Sequence, residues 1–320
     1  MDEFELINRF FRPLCVDVAE NDIGIGDDAS VLTISKEQQL VVTTDTHVES
    51  VHFPAGAKPY DVGFRSCTTS LSDIAAMGAT ARWASLALTV TDASDDWFES
   101  FAGGAADALK QCQASLIGGD TTRGPLVITW NIIGTVSAGT ALLRSGAAPG
   151  DGIYVSGTLG SSAAALTFPL TGVQSYTALQ DELRNRYWYP KPRFDLAHRL
   201  RSIASACIDI SDGLVADLAH LARSSHCGAV VDSVQVPVDS ALIELVGIEC
   251  GLQMALTGGD DYEICFTVAQ ENESELMCLG KKLNHCITRI GHMIEGSGVR
   301  VIGGSGQEIT VNKTGYRHFD

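Results

Sequence analysis

The sequence predicts a two-domain chain of class α/β (α+β), and three observations predict it. Apolar runs of strand length alternate with longer amphipathic runs in both halves. The break Ser145-Gly146-Ala147-Ala148-Pro149-Gly150-Asp151-Gly152 interrupts that alternation with turn-forming residues. The chain has 320 residues, 45% of them hydrophobic, and a mean hydropathy of +0.11, which suits two buried cores at about 100–200 residues each. The expected domains are residues 1–142 and 143–320.

In the first half, Phe4, Ile7, Phe10 and Phe11 fall on one stripe and predict a packing helix over 3–12. Ala29–Ile34 and Leu40–Asp45 read as strands, the second ending on a carboxylate, and 46–54 reads as a loop. Pro59 opens a helix that Gly78 stops. That helix is rich in small residues, so another element packs closely on it. Arg82–Val90 is a strand, and Asp95–Gln113 is an amphipathic helix with Trp97, Phe98, Phe101 and Leu109 inward. Leu116-Ile117 leads into Gly118-Gly119-Asp120-Thr121-Thr122-Arg123-Gly124, and Leu126–Val136 is a strong strand.

In the second half, Ile153–Val155 is a strand and Ser161-Ser162 opens an Ala-rich helix. Tyr187–Pro192 is an aromatic-proline connector. Ala206–Ile210 is a strand that delivers Ser211-Asp212-Gly213 to a helix over Leu214–Ala222. Gly258-Gly259-Asp260-Asp261 precedes a strand over Tyr262–Val268, followed by a helix near 271–283 and strands near 287–293 and 298–302.

The formal charge of −17 excludes a basic nucleic-acid surface. No run of 18 apolar residues exists, which excludes a transmembrane helix of the usual kind. Met1-Asp2-Glu3-Phe4-Glu5 lacks a signal-peptide core, and nine cysteines without a C-x-x-C pair read as reduced, mostly buried thiols. The expected location is cytoplasmic.

The chemistry lies in the acidic residues. Gly24-Ile25-Gly26-Asp27-Asp28-Ala29-Ser30 sets two carboxylates side by side, and adjacent carboxylates repel unless a cation sits by them. Asp45, Asp73, Asp120, Asp209, Asp212, Asp260 and Asp261 recur beside Gly, Ser or Thr. Singly, each is also an ordinary turn or helix-cap residue. Capping uses one oxygen per helix, however, and leaves Asp209 with Asp212 and the doubled Asp27-Asp28 unexplained. Mg²⁺ shared among carboxylates and phosphate oxygens explains the whole set, and it lets an acidic protein hold a nucleoside triphosphate. No Walker loop, dinucleotide fingerprint or zinc spacing occurs. Arg123 and Arg144 are either phosphate contacts or solvated surface residues. His52 and Tyr316 are either substrate contacts or structural.

GIGDDAS (24–30), TTDTHVESVHF (43–53), SLSDIAAMGA (70–79), LIGGDTTRG (116–124), LLRSGAAPGD (142–151), DISDGL (209–214) and GGDDYEICF (258–266) together resemble thiamine-monophosphate kinase. The matches run in the family's order over nearly the full length. The resemblance implies a two-domain PurM-like fold of the aminoimidazole-ribonucleotide synthetase and selenophosphate synthetase superfamily, with an N-terminal sheet that forms a barrel across a homodimer. It implies direct transfer of the ATP γ-phosphate to thiamine monophosphate, with several Mg²⁺ ions per site. Asp28, Asp45, Asp73, Asp120 and Asp212 are then the expected catalytic set. Asp28, Thr43, Thr44, Asp45, Asp73, Asp120, Asp209 and Asp212 are expected at metal, Gly119, Asp120, Arg144 and Ser211 at nucleotide, and His52, Asp260 and Tyr316 at substrate. Relatives often carry Glu where this chain has Asp260. A selenophosphate synthetase commonly has a reactive Cys with a nearby Lys, which Cys15 lacks. A non-catalytic nucleotide-binding module is separated from an enzyme by a turnover assay.

Overall fold

The structure, a computed structural model, describes residues 3–16, 22–91, 94–283, 285–311 and 315. In chain order the elements are α1 (Glu3–Leu6), β1 (Gln38–Val48), α2 (Pro59–Ala76), β2 (Thr80–Val90), α3 (Asp95–Cys112), β3 (Ser115–Arg123), β4 (Val127–Ser137), β5 (Gly152–Ser156), α4 (Ser161–Ala165), α5 (Ala178–Trp188), α6 (Phe194–Leu200), β6 (Ala204–Asp209), α7 (Leu214–Ser224), β7 (Gly228–Asp232), α8 (Ser240–Val246), α9 (Ile248–Thr257), β8 (Ile264–Val268), α10 (Glu273–Leu283), β9 (Ile287–Ile294) and β10 (Gly298–Ile302). They form two compact units. One holds Met1–Ala75, Ala79–Gly139 and Leu170–Gly172; the other holds Ala76–Gly78, Thr140–Pro169 and Val173–Asp320.

The N-terminal unit carries a four-stranded sheet in the order β1-β4-β2-β3. Only β2 and β3 run parallel, joined through α3. Ile128, Trp130 and Ile132 of β4 are fully buried, as are Leu88 and Ala84 of β2 to within 1%. Trp130 Nε1–H donates to Ser66 Oγ of α2 at 3.0 Å, so this face meets the helix. The small residues of α2 serve the close approach their composition predicts. A Cβ on Gly63 would stand 2.2 Å from the Phe101 carbonyl oxygen, and one on Gly104 would stand 2.0 Å from that of Tyr60. The two helices therefore approach backbone to backbone. The opposite face of the sheet is open, with Leu40 48% and Val42 57% exposed.

The C-terminal unit carries a six-stranded sheet in the order β10-β7-β9-β5-β8-β6. Strand alternation sends Ile153, Val155 and Ile208 to one core with Leu214, Leu218 and Leu221 of α7. Tyr154, Cys207 and Phe266 go to a second core with Leu196 and Leu200 of α6. Both faces of this sheet are thus covered.

Some expectations change. Ala29–Ile34 forms no strand: Val31 makes one isolated bridge to Ile23 and is 52% exposed, without a neighbouring ladder to extend it. The strand through Asp45 does not end there, because Thr46, His47 and Val48 pair onward with Thr129, Ile128 and Val127. The stretch after Ile117 continues strand β3, with Asp120 opposite Ala87. The predicted helix over 3–12 becomes α1 followed by a π turn over Ile7–Phe11 and a 3₁₀ turn over Arg12–Leu14. Phe10 and Phe11 are buried there as expected, while the Phe4 side chain lies outside the described residues. The cysteines are all free thiols, but only Cys67, Cys207, Cys227 and Cys265 of the nine are buried, fewer than composition suggested.

Candidate functional site

On β1, alternation turns Thr43, Asp45 and His47 toward α2, and Thr44 and Thr46 toward the open face. Thr43 Oγ1–H donates to Asp73 Oδ2 of α2 at 2.5 Å. Asp45 accepts a hydrogen bond from Ser70, one turn before Asp73. Its carboxyl is pushed up to about 6, first by burial and then by the charge of Asp73. Asp45 and Asp73 are therefore brought together, and hydroxyl groups meet their oxygens. Next along the strand, His47 is held down to about 3 by burial, with Arg65 and His52 adding to the effect.

Thr44 Oγ1 accepts from Asn131 Nδ2 at 2.7 Å on the open face. Asp120 falls in the row Thr46–Thr129–Ala87–Asp120 of that same face, so the register separates it from Asp45. Gly119 stands opposite Leu86. The exposed Asp28 belongs to a loop that Ser30 Oγ–H ties to the Ile117 carbonyl of β3 at 2.6 Å. The Asp28 N–H donates to Asp27 Oδ1 at 2.8 Å, so the doubled acid partly caps itself. His52 Nδ1 accepts from the Val48 N–H at 2.9 Å, which leaves the ring proton of the neutral side chain on Nε2.

In the C-terminal unit two loops interlock. Asp209 closes β6 and is 4% exposed. The N–H groups of Ser211, Asp212 and Gly213 then all donate to Asp217 Oδ2, at 3.0, 3.0 and 3.1 Å. Burial, followed by the charge of Asp212, pushes the Asp217 carboxyl up to about 7. The second loop docks on the first: the Asp260 N–H donates to the Ser211 carbonyl at 2.8 Å and the Tyr262 N–H to that of Ile210 at 2.9 Å. A Cβ on Gly259 would stand 2.2 Å from the Ser211 carbonyl oxygen, so the approach needs glycine. Asp260 and Tyr262 both take left-handed backbone, at φ 71° and 51°. That conformation is uncommon outside glycine and unusual for a bulky residue. Tyr262 also donates its hydroxyl to Asp260 Oδ1 at 3.1 Å.

Acids to which sequence reasoning assigned no site role hold these loops, Asp261 having been named only among the recurrent acids. Asp261 accepts the Gly160 N–H at the start of α4 through both oxygens, at 3.1 and 2.9 Å, and burial raises its carboxyl well above the usual range. Glu263 is 4% exposed and takes Arg193 in a two-point ion pair plus the Ser156 hydroxyl. Asp217 was findable, as an acid in the first turn of the helix that follows Ser-Asp-Gly. Glu263 and Arg193 carry no sequence signal, since 70 residues separate them.

Arg144 is exposed in a stretch beside β6, where the Leu143 carbonyl accepts the Cys207 N–H at 2.8 Å. Tyr316 lies outside the described residues. Its neighbour Gly315 packs on the start of α7, where a Cβ would stand 2.8 Å from the Asp212 carbonyl oxygen.

Among the described residues no three His, Cys, Asp or Glu side chains gather closely enough to hold an ion alone. Mg²⁺ commonly takes only one or two carboxylates and completes its shell with water and phosphate. The Asp45–Asp73 pair fits such an ion: two acids are close enough for one to raise the other, with no cation among the causes that set the Asp45 carboxyl.

Residues 26–136 match the AIR synthase related protein N-terminal domain, and residues 148–304 match the C-terminal domain of the same family. Sheet orders and matches together define a two-domain PurM-like protein of the AIR synthase related class. Thiamine-monophosphate kinase of Escherichia coli K12 is 42% identical over 99% of this chain and 98% of its own. The crystal structure of thiamine-monophosphate kinase from Stenotrophomonas maltophilia K279a is 42% identical with a TM-score of 0.88, covering 97% of this chain and 98% of that one. AaThiL complexed with AMPPCP and TMP is 31% identical with a TM-score of 0.80, covering 99% and 97%. The chain belongs to the thiamine-monophosphate kinase family.

Proposed function

We propose that this protein transfers the γ-phosphate of ATP directly onto the phosphate of thiamine monophosphate, giving thiamine diphosphate and ADP. The observation that carries the reading is full-length similarity at 42% identity to a thiamine-monophosphate kinase. The relative complexed with AMPPCP and TMP supports the pair of substrates.

The acceptor is a phosphate already ionised at neutral pH, so no general base is needed, unlike a hydroxyl acceptor. The obstacle is repulsion between two anions, and electrostatics must remove it. Asp45, Asp73 and Thr43 are the residues that would hold Mg²⁺ in the N-terminal unit; Asp28, Thr44 and Asp120 are assigned to metal as well, Thr44 and Asp120 from the open face of the sheet; Asp209 and Asp212 are their counterparts in the C-terminal unit. Bound there, Mg²⁺ supplies positive charge against the phosphates. The Thr43 and Ser70 hydroxyls orient the two carboxylates of Asp73 and Asp45. Gly119, Arg144 and Ser211 are assigned to the nucleotide, with Arg144 offering a two-point contact to phosphate. His52, Asp260 and Tyr316 are assigned to thiamine monophosphate.

We assign a homodimer through the open face of the N-terminal sheet. Leu40 and Val42 are 48% and 57% exposed on it, beside a regular row of strand residues, and an exposed apolar sheet face favours a partner. No described helix is long and apolar enough to cross a membrane, and we place the protein in the cytoplasm. Incubation with ATP, Mg²⁺ and thiamine monophosphate tests the reading: thiamine diphosphate and ADP should form in equal amounts. ADP with inorganic phosphate alone would reject the transfer.

A further inference from the structure

Asp217 is the buried acid whose surroundings ask most for an explanation. It lies one turn into α7, is 3% exposed, and spends a single oxygen on three consecutive amides. Successive backbone N–H groups that converge in this way form a concavity suited to an anion. At a helix start in a phosphate-transferring protein, such a concavity is a ready phosphate cradle. Here the chain fills it with its own carboxylate. Two consequences follow from geometry. The amides of 211–213 are used up by Asp217 and are not offered to nucleotide phosphate. The peptide planes of 211–213 are also fixed with N–H inward. The Ser211 carbonyl accepts the Asp260 N–H at 2.8 Å, and Gly315 packs against the Asp212 carbonyl. The loop's orientation therefore sets three neighbours at once: Asp209–Asp212, the loop through Asp260, and Gly315.

We propose that Asp217 is a positioning residue for phosphoryl transfer, clamping backbone 211–213 so that Asp209, Ser211 and Asp212 are offered at the spacing metal and nucleotide require. This rests on the assignment of Asp209 and Asp212 to Mg²⁺ made above. Asp217 touches none of the reacting groups in this account and acts through the amides it holds. What it supplies is an acceptor oxygen in the right place, which an amide oxygen also supplies.

The test compares full-length Asp217→Asn and Asp217→Ala with Asp239→Ala, which removes the cap that accepts the Ala241 N–H at 2.9 Å from a different helix of the same unit. Three quantities are read: melting temperature, the Mg²⁺ concentration for half-maximal turnover, and hydrogen exchange at amides 211–213. Asp217→Asn keeps the acceptor and should hold its Mg²⁺ requirement within about threefold of the parent. Asp217→Ala should raise that requirement by about 10–100-fold, the usual effect of losing a group that orients metal ligands. It should also speed exchange at 211–213 by at least about tenfold. Asp239→Ala should lower melting temperature and leave the Mg²⁺ requirement and loop exchange alone. An Ala variant that folds with parental Mg²⁺ requirement and parental exchange overturns the inference. So does an Asn variant that loses Mg²⁺ affinity as severely as Ala, since the negative charge and not the position of the oxygen would then matter. If Ala fails to fold, Asp217→Asn is judged against the parent: a Mg²⁺ requirement raised more than about tenfold, or exchange at 211–213 sped more than about tenfold, overturns the inference. If the parent itself turns over without divalent metal, the metal reading falls, and exchange at 211–213 judges the clamp on its own.

Discussion

Asp45 and Asp73 of the N-terminal unit stand on a strand and a helix, and hydroxyl groups of Thr43 and Ser70 meet their oxygens. The acids that hold the C-terminal unit meet backbone amides: Asp217 takes three and Asp261 takes that of Gly160 through both oxygens. A hydroxyl donates one proton and keeps its lone pairs, so it orients a carboxylate and can still face a cation. A backbone N–H can only donate, and a carboxylate that gathers N–H groups is being used as scaffold. The contrast separates acids that await a cation from acids that shape the loops. Asp212 stands at the border, its N–H held by Asp217 and its own charge among the causes that raise it.

The sharpest way to break the comparison is to neutralise one acid of the first kind in each unit. Asp45→Asn and Asp212→Asn should each lower kcat by at least about 100-fold at saturating ATP and Mg²⁺, the scale of losing a preorganised electrostatic partner. Circular dichroism should show both variants folded. Near-parental rates in either variant would remove that residue from the catalytic set.

A smaller effect is expected at the substrate end. Thiamine carries a cationic thiazolium, and Asp260 offers it a carboxylate. Asp260→Ala should raise KM for thiamine monophosphate several-fold, to about tenfold or more, and leave KM for ATP nearly unchanged. Asp260→Glu should keep KM within about twofold. It should also lower melting temperature, because Asp tolerates the φ of 71° better than the longer side chain does. A rise in both KM values for the Ala variant would show that the residue supports the Ser211 loop and does not meet the substrate.

How much of this was legible depends on what kind of signal each residue leaves. Glycine-aspartate motifs punctuate the chain, so 24–30, 209–213 and 258–261 stood out, and the two-unit α/β layout followed from alternating periodicity. Gly118-Gly119 interrupts the apolar run before Asp120 and hides the strand there, which pairing with β2 carries through to Arg123. The meeting of Asp45 with Asp73 has no local signature, since it comes from a strand lying over a helix 28 positions on. Asp217 was passed over, and Asp261 was read among the metal acids when it binds backbone amides, for the same reason: burial is a property of the packed unit. Glu263 looks like any acid before an apolar strand until Arg193 is placed against it.

The last expectation uses metal-free protein and concerns sign more than size. The Asp45 carboxyl is raised from 3.8 to about 6 by burial and by Asp73, so the folded state favours its protonated form. Stability from that preference is complete below pH 3.8 and is lost as pH rises through about 6. At pH 8 the ionised Asp45, buried and beside Asp73, then costs folding on the order of 3 kcal/mol relative to acid pH. Asn cannot ionise. Treated with EDTA at pH 8, Asp45→Asn should melt several degrees above the parent, and the gap should close as pH falls below 4. Added Mg²⁺ should invert the order, because binding to the native state stabilises the parent by mass action and the variant binds less. Thermal scans across pH, with and without metal, would show it. Equal melting temperatures at pH 8 without metal would mean that the ionised Asp45 carries no penalty from burial and Asp73, and the reading of this pair as acids that await a cation would fail.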